Sequence, residues 1–209
     1  MRRLIAFSSA LFFVLSSLTG CAKSGQSGNT YTPPVNEDGY IVITMPKTLL
    51  GGKTAQELEA ADKADREAAD DGSPAAALWS ALLANEDGTF SYYLTQEQYS
   101  GLQAAYYWLG CLRNPYTAEI SEQIVTQADY TDFDENGIPW GLTVSVDAET
   151  YYSLEIWYSA LVTVTPAIFL GRYQVLKGVP GDEWAVHVTV KDSESGEIIL
   201  ENSFPTRDK

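Results

Sequence analysis

The chain has 209 residues, 45% of them hydrophobic, including 13 Tyr, 7 Phe and 5 Trp. That content can bury enough apolar surface to offset conformational entropy, which argues against disorder over most of the length. Thirteen Lys or Arg stand against 28 Asp or Glu and one His, a formal charge of −15, so there is little from which to build the basic face that a nucleic-acid binder needs. The size suits one compact domain or two small ones.

In chain order, Arg2 and Arg3 precede Leu4 to Leu15, where only Ser8 and Ser9 are polar. A charged start, a short apolar middle and a small-residue end form a secretory signal. The run is shorter than the roughly 20 residues a helix needs to cross a bilayer core. Leu18, Thr19, Gly20 and Cys21 resemble the lipobox of bacterial lipoproteins. That resemblance implies a diacylglycerol on the Cys21 thiol, cleavage just before it, and a location on the extracytoplasmic face of the cell membrane. The alternative is an ordinary secretory peptide, or an unprocessed helix, with Cys21 incidental. Burying methylenes contributes roughly 0.8 kcal/mol each, so two acyl chains suffice as an anchor. Without residues 1–20 the chain keeps 11 basic against 28 acidic residues, a charge of −17. An anionic membrane surface repels such a body, which favours a tethered domain over one lying on the lipid. Ala22 to Pro34, rich in Gly, Ser, Thr, Asn and Pro, reads as the spacer. The expected organisation is a signal over 1–20, a lipidated cysteine and linker over 21–37, and one globular domain over 38–205.

Tyr40 to Met45 reads as a β-branched strand stopped by Pro46. Thr54 with Glu57 forms a capping box, and Glu59/Lys63, Asp62/Arg66 and Lys63/Glu67 are i,i+4 pairs of opposite charge, so a helix is expected from about 55 to 70. Its apolar side holds mostly Leu58 and alanines, which makes it peripheral. Gly72, Ser73 and Pro74 break it. Ala77 to Ala84 fits strand or helix, and the turn signal Asn85-Glu86-Asp87-Gly88 followed by Thr89 to Leu94 favours a hairpin. Thr95 with Gln98 is a second capping box. Tyr99, Leu102, Tyr106, Leu109 and Leu112 recur at helical spacing, giving a core-facing helix over 96–113. Glu119 to Tyr130 leans toward strand, and Leu142 to Val146 alternates as another. Asp147 caps a long helix from about 148 to Arg172, with Pro166 as a kink or end. Ile156 to Leu170 is apolar, and a buried helix is favoured over a membrane segment. Trp184 to Lys191 and Glu197 to Ser203 form a closing hairpin around Ser195 and Gly196. The fold class is α+β, with antiparallel hairpins forming a sheet and two or three helices packed on it rather than a βαβ series.

With Cys21 acylated, Cys111 is the one free thiol, and no intrachain disulfide forms. Cys111 and His187 cannot supply the four ligands of a structural zinc site. Alternation in Trp184 to Lys191 puts the valines on the buried face and His187 on the solvent side. Cys111 reads as a small buried hydrophobe rather than a nucleophile. Gly51-Gly52-Lys53-Thr54 ends like a phosphate-binding loop, but position 47, where that pattern needs Gly, holds Lys47. Asp132, Asp134, Asn136 and Gly137 open like a calcium loop, yet the twelfth position is Thr143 instead of a bidentate Glu. Asp132, Asp134 and Asn136 are therefore weak metal candidates beside the simpler reading of an Asn-Gly turn. No cofactor is expected.

The order of lipobox, Ile43-Thr44-Met45-Pro46-Lys47, Leu49-Leu50-Gly51-Gly52-Lys53-Thr54, the Asn85 to Thr95 hairpin and the closing Val188 to Glu197 hairpin resembles small uncharacterised lipoproteins of clostridial-type Gram-positive bacteria. Gln96, Glu97 and Gln98 stand where that resemblance leads one to expect a basic helix start. The resemblance implies a membrane-anchored protein and assigns a role to Cys21 alone, with no catalytic residue. The expected function is a non-enzymatic binding or accessory module of the cell envelope, using exposed aromatics for a protein or glycan ligand. A carboxylate-dependent extracytoplasmic hydrolase is the alternative.

Overall fold

The computed structural model describes residues 31–68, 78–111, 124–153 and 156–206. Cys21 and the signal, the Gly72–Pro74 break, Leu112 and the start of the Glu119–Tyr130 segment lie outside the described residues. The fold is α+β, and the chain clusters into two compact units. One holds Tyr31–Ala105 with Pro180–Asp182; the other holds Tyr106–Val179 with residues 183–206.

The first unit is built on an antiparallel sheet of β1 (Ile41–Met45), β2 (Ala81–Ala84) and β3 (Phe90–Leu94), in the order β1-β3-β2. Alternation decides its buried face. Ile41, Ile43 and Met45 pair with Leu94, Tyr92 and Phe90, and all six side chains are buried. The β2–β3 hairpin turns at Asn85–Gly88, where Gly88 takes a φ of +82° that a side chain would resist, and Asn85 N donates to Thr89 O at 2.9 Å. Residues before β1 fold back along its outer edge: Val35 bridges to Ile41, and Val42 N donates to Pro34 O at 3.2 Å.

Helix α1 (Ala55–Ala68) starts at the expected capping box, with Thr54 N donating to Glu57 Oε2 at 2.8 Å and Glu57 N to Thr54 Oγ1 at 3.1 Å. Gly51 and Gly52, both at positive φ, simply turn the chain into it. Helix α2 (Gln96–Gly110) starts at the Thr95/Gln98 box, with bonds of 2.9 and 3.2 Å. Its stripe is buried at Tyr99, Leu102 and Ala105, and Tyr106 and Leu109, counted with the second unit, are buried as well.

The second unit carries a sheet in the order β4 (Val125–Phe133), β5 (Pro139–Val146), β6 (Val186–Asp192), β7 (Ile198–Phe204). β4–β5 and β6–β7 are the expected hairpins, whereas β5 and β6 run parallel. A parallel pair cannot be closed by a short turn. Here the crossover contains α3 (Ala148–Ser153) and α4 (Ile156–Leu176), so the helical segment expected between these strands is one βαβ connection inside a sheet otherwise made of hairpins. α4 neither ends at Pro166 nor stops at Arg172; it continues to Leu176. Pro166 removes one backbone donor, and the burial of Val162, Ala167, Leu170, Val175 and Leu176 around it offsets the loss. No described helix is long and apolar enough to cross a membrane.

Leu142, Val144 and Val146 of β5 and Val186, Val188 and Val190 of β6 are all fully buried, and α4 packs on these strands. Among them lies Gln174, also fully buried. Its Nε2 donates to Pro139 O and Ala185 O, both at 2.8 Å, and its Oε1 accepts from Ala185 N at 3.1 Å. One amide thus ties the end of α4 to the starts of β5 and β6. A Gln174→Leu variant leaves buried backbone groups without partners, and its denaturant midpoint is expected to fall by the equivalent of about 2–4 kcal/mol. A change under about 0.5 kcal/mol contradicts that role.

Candidate functional site

His187 stands on the face of β6 opposite the buried valines and is exposed, as its alternation predicts. The structure adds neighbours that the sequence did not reveal. Ser203 on β7 is its cross-strand partner, and Ser203 Oγ lies 3.1 Å from Nδ1, while Glu201 Oε1 lies 3.8 Å from Nε2. The side chains of His187 and Glu201 are 45% and 51% exposed, and 3.8 Å exceeds a hydrogen bond. The chemistry available is that of a solvated cross-strand contact, not an enclosed nucleophile.

Asp132, Asp134 and Asn136 surround the β4–β5 turn. Asp134 Oδ1 accepts from Asn136 N and Ile138 N, both at 2.8 Å, so this carboxylate is engaged by its own turn. Asp132 adopts a φ of +54° and lays its carboxylate over Gly141, where an added Cβ would collide with Thr131 Oγ1 and Asp132 Oδ2. Among the described residues, no group of three or more His, Cys, Asp or Glu side chains could hold a metal ion.

Cys111 is half-buried rather than buried, because it lies in the turn after α2, where its N–H donates to Trp108 O at 3.2 Å. Its surroundings are tyrosines. Ring centroids are 4.7 Å apart for Tyr107–Tyr130 and 5.1 Å for Tyr107–Tyr173, and the Tyr130 hydroxyl donates to Tyr107 O. Burial, and then the neighbouring Cys111 thiol, hold the Tyr130 phenol far above its ordinary range. Burial, followed by Tyr107 and Asp134, pushes Tyr173 up to about 12. Gly110 is required beside them, since a Cβ there would stand 2.5 Å from the Tyr130 hydroxyl. Lys177 Nζ sits 6.0 Å over the Tyr173 ring and Arg172 Cζ 5.6 Å over Tyr106, so the chain's own cations lie over these rings.

Within the first unit, a hollow of about 350 Å³ lies between α1 and β2. Two of its carboxylates, Asp62 and Glu59, are engaged. Asp62, only 9% exposed, accepts from Arg66 Nε at 2.8 Å and from Trp79 Nε1 at 2.9 Å. Arg66 Nη2 donates to Trp79 O at 2.8 Å, and Glu59 Oε2 accepts from Ala84 N at 2.9 Å. Glu67 is 4.0 Å from Lys63. Glu59, expected to pair with Lys63, instead serves the strand, and the expected Asp62–Arg66 pair is buried into a network rather than solvated. The sequence signal was present in the spacing of Glu59, Asp62 and Arg66, but their target, Trp79 and Ala84, lies in a separate element.

No family model, curated protein or solved structure matches this chain. What fold and site define is an acidic α+β protein in which Glu57, Glu59, Asp62, Asp87, Asp134, Asp147 and Asp192 serve turns, caps and helix docking.

The Glu57, Asp87, Asp147 and Asp192 carboxyls are all held below their ordinary values. For Glu57 the main cause is the Thr54 N–H, and for the three aspartates it is the hydroxyl of Thr89, Thr150 or Ser195. A depressed folded-state value adds stability above the ordinary carboxylate range and loses it as pH falls through the folded-state value. The melting temperature is expected to drop between about pH 5 and about pH 2, with a smaller drop for Asp147→Asn than for the native chain. An identical pH profile for the two proteins contradicts the assignment at Asp147.

Proposed function

We propose that the chain is a lipoprotein anchored through Cys21 to the extracytoplasmic face of the cell membrane, and that it works there as a binding or accessory module. The observation that carries this reading is the tetrad Leu18-Thr19-Gly20-Cys21 behind a short apolar run and two arginines. The thirteen residues from Ala22 to Pro34 give a reach of at most about 45 Å, enough to let the −17 body stand off an anionic surface.

The carboxylates of Asp62 and Glu59 in the α1–β2 hollow and of Asp134 in the β4–β5 turn each accept hydrogen bonds from their own surroundings, which supports a binding role over the hydrolase alternative. Aromatic contact area remains. Tyr40, Tyr107, Phe133 and Tyr152 are all exposed, while Trp184 is buried and Trp79 is tied to Asp62.

Growth of the producing bacterium with an alkynyl fatty acid should label the native protein. In Cys21→Ala the label should disappear and the protein should leave the membrane fraction. A labelled Cys21→Ala protein, or a native protein with an unmodified Cys21 thiol by mass spectrometry, contradicts the anchor.

A further inference from the structure

The two sheets close their edges in different ways. In the second unit both edge strands carry charge, Asp129 and Asp132 on β4 and Glu201 on β7, and a charge on an edge discourages pairing with another chain. The first unit has no such protection. Neither β1 nor β2 contains a charged residue. The outer edge of β1 is partly covered by the Pro34–Val35 segment. The outer edge of β2 pairs with no strand among the described residues, and α1 packs against β2 instead.

The manner of that packing is informative. α1 buries only Ala55 and Asp62 fully, so little apolar area holds it in place. Its hold is polar: the Glu59 carboxylate takes the Ala84 N–H, the Arg66 guanidinium gives to the Trp79 carbonyl, and Asp62 braces both Arg66 and the Trp79 indole. An acceptor is thus offered to the last residue of β2 and a donor to the carbonyl of Trp79 just before the strand, as the backbone of another strand would offer them. Glu59 and Arg66 are about 10 Å apart along the helix, and Trp79 and Ala84 about 16 Å apart along the chain, a difference long side chains span. Because Ala84 N–H points away from β3, ladder alternation turns the N–H and C=O of Leu82 outward too.

We propose that α1 is a guard over the edge of β2, and that its release opens a docking edge for β2 of a second copy of this chain. The segment Ala81-Leu82-Leu83-Ala84 is suited to meet itself. In an antiparallel pair centred on Leu83, Leu83 faces Leu83, and Leu82 faces Ala84 on either side, with no like charges opposed. Leu83 is already 41% exposed and gains cover in the pair. The result is a continuous six-stranded sheet across a two-fold axis.

The test uses the full chain with Cys21 and Cys111 replaced by Ser, so that it is independent of the lipid anchor. Leu83→Cys should give no disulfide-linked dimer while the guard is intact. In a Glu59→Ala/Arg66→Ala background it should give one, and without Leu83→Cys that background should double in particle mass by light scattering. Adding Leu83→Lys should return it to the single-chain mass. Should the double variant lose its circular dichroism signal, Asp62→Asn, which keeps the side-chain shape but removes the charge bracing Arg66, provides the same readings. A dimer trapped equally well with the guard intact overturns the guarding role, and a folded guard variant that stays at single-chain mass overturns the docking edge.

Discussion

Backbone groups buried at the rim of a sheet must find partners, and at two places among the described residues side chains projecting from helices supply them. Glu59 and Arg66 do so along β2, and Gln174 does so where β5 and β6 begin. Apolar burial provides most of the driving force, through the valines and leucines of β5 and β6 and the Phe90–Tyr92 face of β3. Burial alone does not fix where a helix sits along a sheet. Directional bonds to particular carbonyls and amides do, at a net value of about 1 kcal/mol each but at a larger cost when one partner is removed.

The same logic gives meaning to the acidic composition. Glu57 and Asp147 cap helices, Asp87, Asp134 and Asp192 hold turns, Glu59 closes a strand edge, and Asp62 docks a helix. Carboxylates accept from backbone N–H groups at short range, which suits a chain built from short hairpins and short helices.

Much of the local structure was legible because its causes are local. Both capping boxes, the Asp147 cap, the Asn85–Gly88 hairpin and the sidedness of β6 follow from residues within a few positions of one another. What was illegible depends on pairings between distant segments. Nothing in the alternation of Leu142, Val144 and Val146 announces that β5 will lie parallel to β6, since the choice rests on a crossover helix that continues through Pro166. Asp62 reads as one acid on a solvated helix until Trp79 is brought against it, and Gln174 reads as a polar residue near a helix end until Pro139 and Ala185 converge on it. The Ser203 and Glu201 neighbours of His187 depend on a register that shifts between Val190 and Lys191.

The most direct measurement is amide hydrogen exchange at Ala84 and Ala185, whose N–H groups donate to the Glu59 carboxylate and the Gln174 carbonyl. If helix side chains close the rims of these sheets, both amides are protected in the native protein, and Glu59→Ala abolishes protection at Ala84 while leaving the amides of β3 slow. Exchange of Ala84 at the rate of an unstructured peptide in the native protein, or unchanged protection there in Glu59→Ala, would contradict it.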